Sequence, residues 1–231
     1  MKTMKNYVNR NIELVSANGD PSKTCEVSLV DEHNLKLYVN GKLKKEFICL
    51  NENLDDIVLG WLIGKNFIRN QSQIVNKEYK NNNIEVYVEI KSTDKANEEI
   101  ENFSKVEFRD KWIFDIVNEF LEGTKIHKHT SGTHCCILSI KGKTALKIED
   151  IGRHNAIDKV IGYIYKNNIV VSDCMLFTSG RISTDLVEKV INARIPILVS
   201  KSVTSFQAAE MAKGRLHLIC KAWPDSFEIY S

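Results

Sequence analysis

Three short runs combine small, hydroxylic and cationic residues in a way that suits an anion: Asp150-Ile151-Gly152-Arg153-His154-Asn155, Thr178-Ser179-Gly180-Arg181 and Ser200-Lys201-Ser202-Val203-Thr204. Each leads from a stretch with strand character into one with helical spacing. The first turn of a helix carries unpaired N–H groups and a partial positive charge, so Arg153, Arg181 and Lys201 at these junctions favour a phosphorylated ligand, and a nucleotide would suit. In an open α/β sheet such loops gather beyond the carboxyl ends of the strands, where ligands bind. A plainer account of the same residues is that Asn155, Ser183 and Thr204 cap helices; Thr204 has Gln207 three positions on, the spacing of a capping box.

A second cluster, His127-Lys128-His129-Thr130-Ser131-Gly132-Thr133-His134-Cys135-Cys136, brings three imidazoles and two thiols together. Zinc sites draw pairs of ligands from spaced turns, whereas adjacent cysteines on a strand point to opposite faces, so no tightly held metal is expected. The His-x-Glu and Pro-Cys-x-x-Cys signature of zinc deaminases is missing as well. If Cys135 or Cys136 faces solvent, His134 and Lys128 would favour its thiolate, the form that accepts or donates sulfur. The commoner fate of free cysteine is burial, expected here for at least one of the pair.

The elements that must position these groups are legible. Alternation in Cys25–Leu29 and Leu35–Val39 predicts strands, Asn40-Gly41 a hairpin turn, and Glu46–Leu50 the return strand. Leu54, Ile57, Val58, Trp61 and Leu62 fall on one face of a helix. Residues 91–108, polar and without Gly or Pro, read as a short helix or crossover between two portions, 1–108 β-rich with one helix and 109–231 α/β. A helix with Asp110 as N-cap follows, its stripe Ile113, Ile116, Val117, Phe120 and Leu121, stopping at Gly123. From Thr133 the order is a hairpin around Lys141-Gly142-Lys143, then helix, strand, helix, strand, helix and closing strands, an α/β layout.

The chain has 231 residues, 43% of them hydrophobic, which is enough for a full core. Lys and Arg number 32 against 30 Asp and Glu, scattered along the sequence, so charge gives no nucleic-acid signal. No stretch approaches the roughly eighteen apolar residues of a membrane span, and Met1–Asn6 leads into no signal-like apolar run, so a soluble, cytoplasmic protein is expected. The six cysteines lack the spacing and density of a disulfide scaffold.

A longer ordered pattern runs through the same residues: Ser131–His134; Glu149-Asp150-Ile151-Gly152-Arg153-His154-Asn155-Ala156-Ile157-Asp158-Lys159; Thr178–Ser183; Ile195–Ser200; and the ending Phe227-Glu228-Ile229-Tyr230. Upstream, Val39–Gly41 and Leu54–Ile63 extend it. This pattern resembles the FdhD/NarQ family, the formate dehydrogenase accessory sulfurtransferases, over most of the chain. The resemblance implies an α/β (α+β) fold with a cytidine-deaminase-like three-layer core behind a smaller N-terminal β-rich portion, and it implies a homodimer. It implies binding of the molybdenum or tungsten bis(molybdopterin guanine dinucleotide) cofactor as a client, with cysteine desulfurase and the formate dehydrogenase catalytic subunit as partners. Cofactor contacts would come from Gly132, Thr133, His134, Asp150, Gly152, Arg153, His154, Asn155, Ser179, Gly180, Arg181, Ser200 and Lys201, and from the segment Lys221, Ala222, Trp223, Pro224, Asp225 and Ser226. In that segment the family normally carries Arg and Gly, so Trp223 and Pro224 depart from it.

The larger departure is the sulfur carrier. Family members place a Cys-x-x-Cys loop upstream of the Gly-Thr-His segment, and residues 91–126 contain no cysteine. A persulfide relay needs a nucleophilic sulfur, for which Cys135 or Cys136 would have to substitute. Three functions are thus expected in order: a cofactor-handling accessory protein that transfers sulfur, a non-catalytic cofactor-binding chaperone of the same fold, and a small-molecule enzyme using His154 or His134 as general acid or base.

Overall fold

The computed structural model describes residues 6–17, 22–91 and 106–230. Most of the crossover expected at 91–108 therefore lies outside the described residues. Among the described residues, twelve strands fall into three sheets and six α-helices pack on them.

The first sheet is a hairpin of β1 (Tyr7–Leu14) and β2 (Lys23–Val30), paired antiparallel from Tyr7↔Val30 to Leu14↔Lys23. The second has the order β4 (Lys42–Cys49), β3 (His33–Val39), β6 (Glu85–Ile90), β5 (Ile74–Lys80), with β3 and β6 parallel. Asn40 and Gly41 turn β3 into β4 with both φ positive, at 46° and 75°, the conformation that an Asn-Gly hairpin selects. Alternation then points Leu35, Leu37, Val39, Val86 and Val88 inward, onto α1 (Leu54–Gly64). That helix is not amphipathic as its sequence stripe suggests: every residue from Asp56 to Gly64 is buried, because the four-stranded sheet covers one side and two further helices the other.

The third sheet has six strands in the order β12-β11-β10-β9-β7-β8. The hairpin of β7 (His134–Ile140) and β8 (Lys143–Asp150) turns at Lys141-Gly142, and the tip lies on the Trp112 ring, where a Cβ at Gly142 would come within 2.2 Å. β9 (Cys174–Thr178), β10 (Ile197–Ser200) and β11 (His217–Cys220) are parallel, and β12 (Glu228–Tyr230) closes the far edge antiparallel. One face is covered by α4 (Arg153–Lys166), α5 (Thr184–Asn192) and α6 (Phe206–Ala212), with α1 stacked behind α4 and α5, and the other by α2 (Asp110–Leu121). The short α3 (Lys125–Thr130) joins α2 to the sheet and has no counterpart in the sequence reading.

Several helix ends differ from their sequence assignment. The N-cap of α2 is Arg109, in extended conformation, and Asp110 already belongs to the first turn, where its charge suits the helix dipole. Leu121, expected in the buried stripe, is 50% exposed because α2 ends there, ahead of Gly123 at φ 76°. α6 is capped by Ser205, whose hydroxyl accepts from the Ala208 N–H, while Thr204 forms a bridge with Ile182 instead. Gly152 caps α4 through its backbone, and Asn155 lies inside the first turn.

The four-stranded sheet and the six-stranded sheet share one continuous core through the crossing of α1 and α4. Gly60 and Gly162 set its distance: a Cβ on Gly60 would lie 1.8 Å from the Asp158 carbonyl oxygen, and one on Gly162 would lie 1.9 Å from that of Asp56. No rotamer can relieve a clash with backbone. Gly162→Ala is expected to force the helices apart and cost about 3 kcal/mol, read as a lower urea midpoint with unchanged slope. A midpoint equal to that of the wild type would mean that the crossing tolerates separation.

Candidate functional site

β8, β9 and β10 run parallel, and β7 runs against them, so the carboxyl ends of three strands and the amino end of a fourth meet on one rim. The register states this directly: His134 pairs with Asp150, Cys136 with Thr178, and Ser200 with Thr178. All three loops singled out above start from that rim.

They are tied to one another. The Ser179 hydroxyl accepts from the Cys135 N–H at 3.0 Å and lies 3.2 Å from His134 Nδ1, to which it can donate. Ser200 Oγ donates to the Gly180 carbonyl at 2.7 Å and accepts from the Ser202 N–H at 2.9 Å. Gly180 is a residue of close approach: a Cβ there would come within 2.6 Å of Arg153 Cδ, so only glycine lets that side chain lie across the second loop. Arg153 Nε is buried and has no hydrogen-bond acceptor among the described residues. A buried donor without a partner costs about 1–3 kcal/mol, which a bound anion at this point would recover. Arg181 is exposed beside it.

Other expected contact residues are committed to the scaffold. Asp150 is fully buried; one oxygen pairs with Lys159 Nζ at 2.6 Å and accepts from the Leu50 N–H, and the other accepts from Gly152 N and Asn155 Nδ2. Asn155 also donates to the Ile48 carbonyl at 2.7 Å. Gly132 packs under Val30 of the β1–β2 hairpin, and Thr133 donates to Glu149 Oε1. Glu149 further accepts from the N–H groups of Ile126 and His127, so α3's first turn is filled by an internal carboxylate. In the tail, Lys221 pairs with Glu228 at 2.7 Å, Ala222 is buried, and Trp223, Pro224, Asp225 and Ser226 form an exposed turn closed by Trp223 N donating to Ser226 O.

The histidines divide in the same way. His127 donates from Nδ1 to the Thr133 carbonyl, and His129 stacks on Tyr7. His134 is held below its usual pKa, by burial first and by Arg153 and His127 next. His154 is pushed down to about 4 by burial, then by Lys189 and Arg153, although its Nδ1 lies 3.3 Å from Asp185 Oδ2. Asp185 also pairs with Lys65 of α1. One turn further along the same two helices, Asp158 pairs with Lys189 at 2.7 Å, both buried; burial pushes the Asp158 carboxyl up, against the pull of that ammonium. These rungs between α4 and α5 escaped the sequence reading. Their signal is a charge set among apolar neighbours, Lys189 beside Val190 and Lys159 beside Val160.

Neither cysteine proposed as a sulfur carrier is accessible. Cys135 joins the core under α2 and Cys136 the core under α4, on opposite faces of β7 as alternation requires. Burial raises Cys135 to about 12 and Cys136 well above its ordinary value, so both are thiols at neutral pH. Burial, expected for at least one of the pair, holds for both, so neither is placed as the substitute sulfur carrier that the missing Cys-x-x-Cys would require. Cys49, Cys174 and Cys220 are also buried, and Cys25, on β2, is half-buried.

A cavity of about 580 Å³ lies elsewhere, along the outer edge of β8 between Tyr7, Asn53 and Lys125. Its central acid, Glu149, is already saturated by protein donors, so the rim of loops remains the better candidate.

Comparison with known proteins bears on this arrangement. The sequence pattern of the FdhD/NarQ family matches residues 30–106 and 90–231. The chain belongs to that family. It is 29% identical over 224 residues to "Protein FdhD" of Methanocaldococcus jannaschii, an alignment that covers 96% of each chain. It is 25% identical over 235 residues to "Sulfur carrier protein FdhD" of Bacillus licheniformis, with 89% of each covered. Among solved structures, "a putative formate dehydrogenase accessory protein" from Desulfotalea psychrophila superposes with a TM-score of 0.82 at 20% identity, over 98% of this chain and 97% of that one. The fold of this FdhD/NarQ member, mixed α/β with three sheets, is therefore that of its structural neighbour. No helix among the described residues is long and apolar enough to cross a membrane.

Keeping His154 neutral has a pH consequence. Its folded pKa, about 4, lies below the ordinary 6.5, so the unfolded chain takes up this proton first as pH falls. The stability tied to the neutral ring is complete above about pH 6.5 and declines from there toward pH 4. Histidine NMR titration should show one ring still neutral at pH 5, lost in His154→Gln; a His154 resonance titrating near 6.5 would contradict the assignment.

Proposed function

We propose that this chain is an accessory protein in formate dehydrogenase maturation, working in the cytoplasm, that binds the molybdenum or tungsten bis-guanine-dinucleotide cofactor as a client at the rim of three loops. The observation that carries this reading is the Arg153 side chain, laid across Gly180 with its Nε buried and without an acceptor, between loops that open helices α4, α5 and α6. Donors fixed in this way suit a diphosphate better than a neutral ligand. The names of the relatives, FdhD and sulfur carrier protein FdhD, and of the structural neighbour, a putative formate dehydrogenase accessory protein, support the accessory role.

The finer claim is that sulfur passes from a cysteine desulfurase to the cofactor through this protein. A specific observation favours the second reading, a cofactor-binding chaperone without sulfur transfer: Cys135 and Cys136 are buried thiols on opposite faces of one strand. Attack on a donor persulfide requires an accessible thiolate.

Two measurements separate these readings. GDP, as a fragment of the client, should bind the purified protein in a calorimeter, and Arg153→Ala and Arg181→Ala should each weaken it roughly tenfold, as expected for a lost charged hydrogen bond. No affinity in the wild type would sink cofactor handling. Peptide mapping after incubation with a cysteine desulfurase and cysteine then decides the sulfur step. An added sulfur on Cys135, Cys136 or Cys25, lost in the matching Ser variant, supports transfer; an unmodified protein that binds GDP leaves the chaperone.

A further inference from the structure

β8 is an outer strand of the six-stranded sheet, and the direction of its backbone groups follows from its neighbour β7. Cys135 turns both backbone groups toward the β9 side, since its carbonyl accepts from the Ser179 N–H and its own N–H donates to the Ser179 hydroxyl. Alternation therefore points the backbone of Cys136 at its partner Ile148 on β8, and the backbones of Lys147 and Glu149 away from the sheet. No described residue bonds to the N–H and C=O groups that these two present. Open edges are commonly guarded by charge, as Lys42, Lys44 and Lys45 guard β4. This stretch of β8 instead lines the cavity of about 580 Å³.

The two sides of that groove differ in chemistry. On the α1 side are Leu146 and Ile148, both packed on the core that α1 and α4 share, with Glu52 as an exposed part of the lining. On the α2 side Lys147 is held by Glu119 and Glu149 by Thr124, whereas the exposed ammonium of Lys125 has no carboxylate partner among the described residues. Unmet N–H and C=O groups in one row are satisfied together by another main chain. An antiparallel strand would set one residue opposite Lys147, exchanging both hydrogen bonds with it; that side chain falls on the Lys125 side, and those of its two neighbours fall on the Leu146 and Ile148 side. We propose that the outer edge of β8 receives an extended segment of a partner protein as an added antiparallel strand, with an acidic residue opposite Lys147 between two apolar ones. The acid meets Lys125, and Glu52 disfavours the register in which it would face the other way. Ligand binding at the rim of loops plays no part in this inference.

The probe is an acetylated and amidated hexapeptide that alternates valine and aspartate, added to the full-length protein and followed by amide hydrogen exchange and calorimetry. In the free protein the amides of Lys147 and Glu149 should exchange freely, while those of Leu146 and Ile148, bonded to β7, are protected; the peptide should protect the first pair. Methylating the aspartate nitrogens removes the N–H groups aimed at β8 and should weaken binding at least about tenfold, whereas methylating the valine nitrogens, aimed at solvent, should change it less than about twofold. A valine–lysine peptide should bind about fivefold more weakly than valine–aspartate, and Lys125→Glu, at an exposed position, should erase that preference. No binding of the valine–aspartate peptide at millimolar concentration, equal binding of the two methylated peptides, or equal binding of the two charge patterns overturns the proposal. So does protection of Lys147 and Glu149 before any peptide is added: if it persists on dilution the protein's own chain covers the edge, and if dilution removes it a second copy does.

Discussion

Lys159 and Asp150 face each other at 2.6 Å with neither side chain exposed to water. Two isolated charges at that depth would cost several kcal/mol each, so the pair persists only because its remaining valences are met. Asp150 accepts from Leu50 N, Gly152 N and Asn155 Nδ2, and Lys159 donates to the Leu50 carbonyl. The end of β8, the first turn of α4 and the exit of β4 are thereby fixed to one buried point. The loop that displays Arg153 is the chain between these anchors. Its orientation is set by satisfied charges, which leaves the guanidinium free of any structural duty.

The same economy governs the neighbouring helices. Gly60 and Gly162 bring the backbones of α1 and α4 into contact, and that contact places Asp158 where Lys189 of α5 can reach it. Asp158 is the residue before Lys159, so two adjacent positions of α4 point their charges into different seams, one toward the sheet and one toward α5. His154, one turn earlier, meets Asp185, which in turn meets Lys65. The four-stranded sheet is therefore not an appendage: by pressing α1 onto α4 it holds the helix whose first turn forms part of the rim. Damage to the α1–α4 crossing would be felt at Arg153 through rigid helices, without any residue of the site being altered.

Much of this arrangement is readable from sequence, and the exceptions have physical causes. Strands and the two Gly-containing hairpins follow from alternation and positive φ at Asn40-Gly41 and Lys141-Gly142. The three loops are legible because strand, small residues and helix follow one another on the page. What sequence cannot show is whether a polar side chain points into the ligand space or into the scaffold. Asp150 and Asn155 have the composition of contact residues and prove to be the fastening of the loop, while Ser200, also buried, ties one loop to the next. The run from Gly152 to Lys159, the most specific stretch of the family pattern, divides likewise: Arg153 faces the site, and Asp158 and Lys159 face the core. Helix ends differ by one residue at Asp110 and Thr204 because backbone conformation decides the cap: extended Arg109 precedes α2 whatever its side chain prefers, and at α6 the cap falls to Ser205, the hydroxyl next to Thr204.

The cysteines show how a fold limits chemistry. β7 is an interior strand of the six-stranded sheet, packed on both faces, so its adjacent Cys135 and Cys136 are divided between two cores. To present either sulfur, the strand would have to leave β8 and β9, and with it would go the Cys135 N–H that positions Ser179. Exposing the thiol and keeping the rim intact are thus opposed demands on one strand. The proposed cofactor binding has no such conflict, because Arg153, Arg181 and Lys201 all lie beyond the strand ends. On the proposed reading, binding at the rim and sulfur transfer are physically separable, because nothing in the rim depends on a thiol in the sheet reaching solvent.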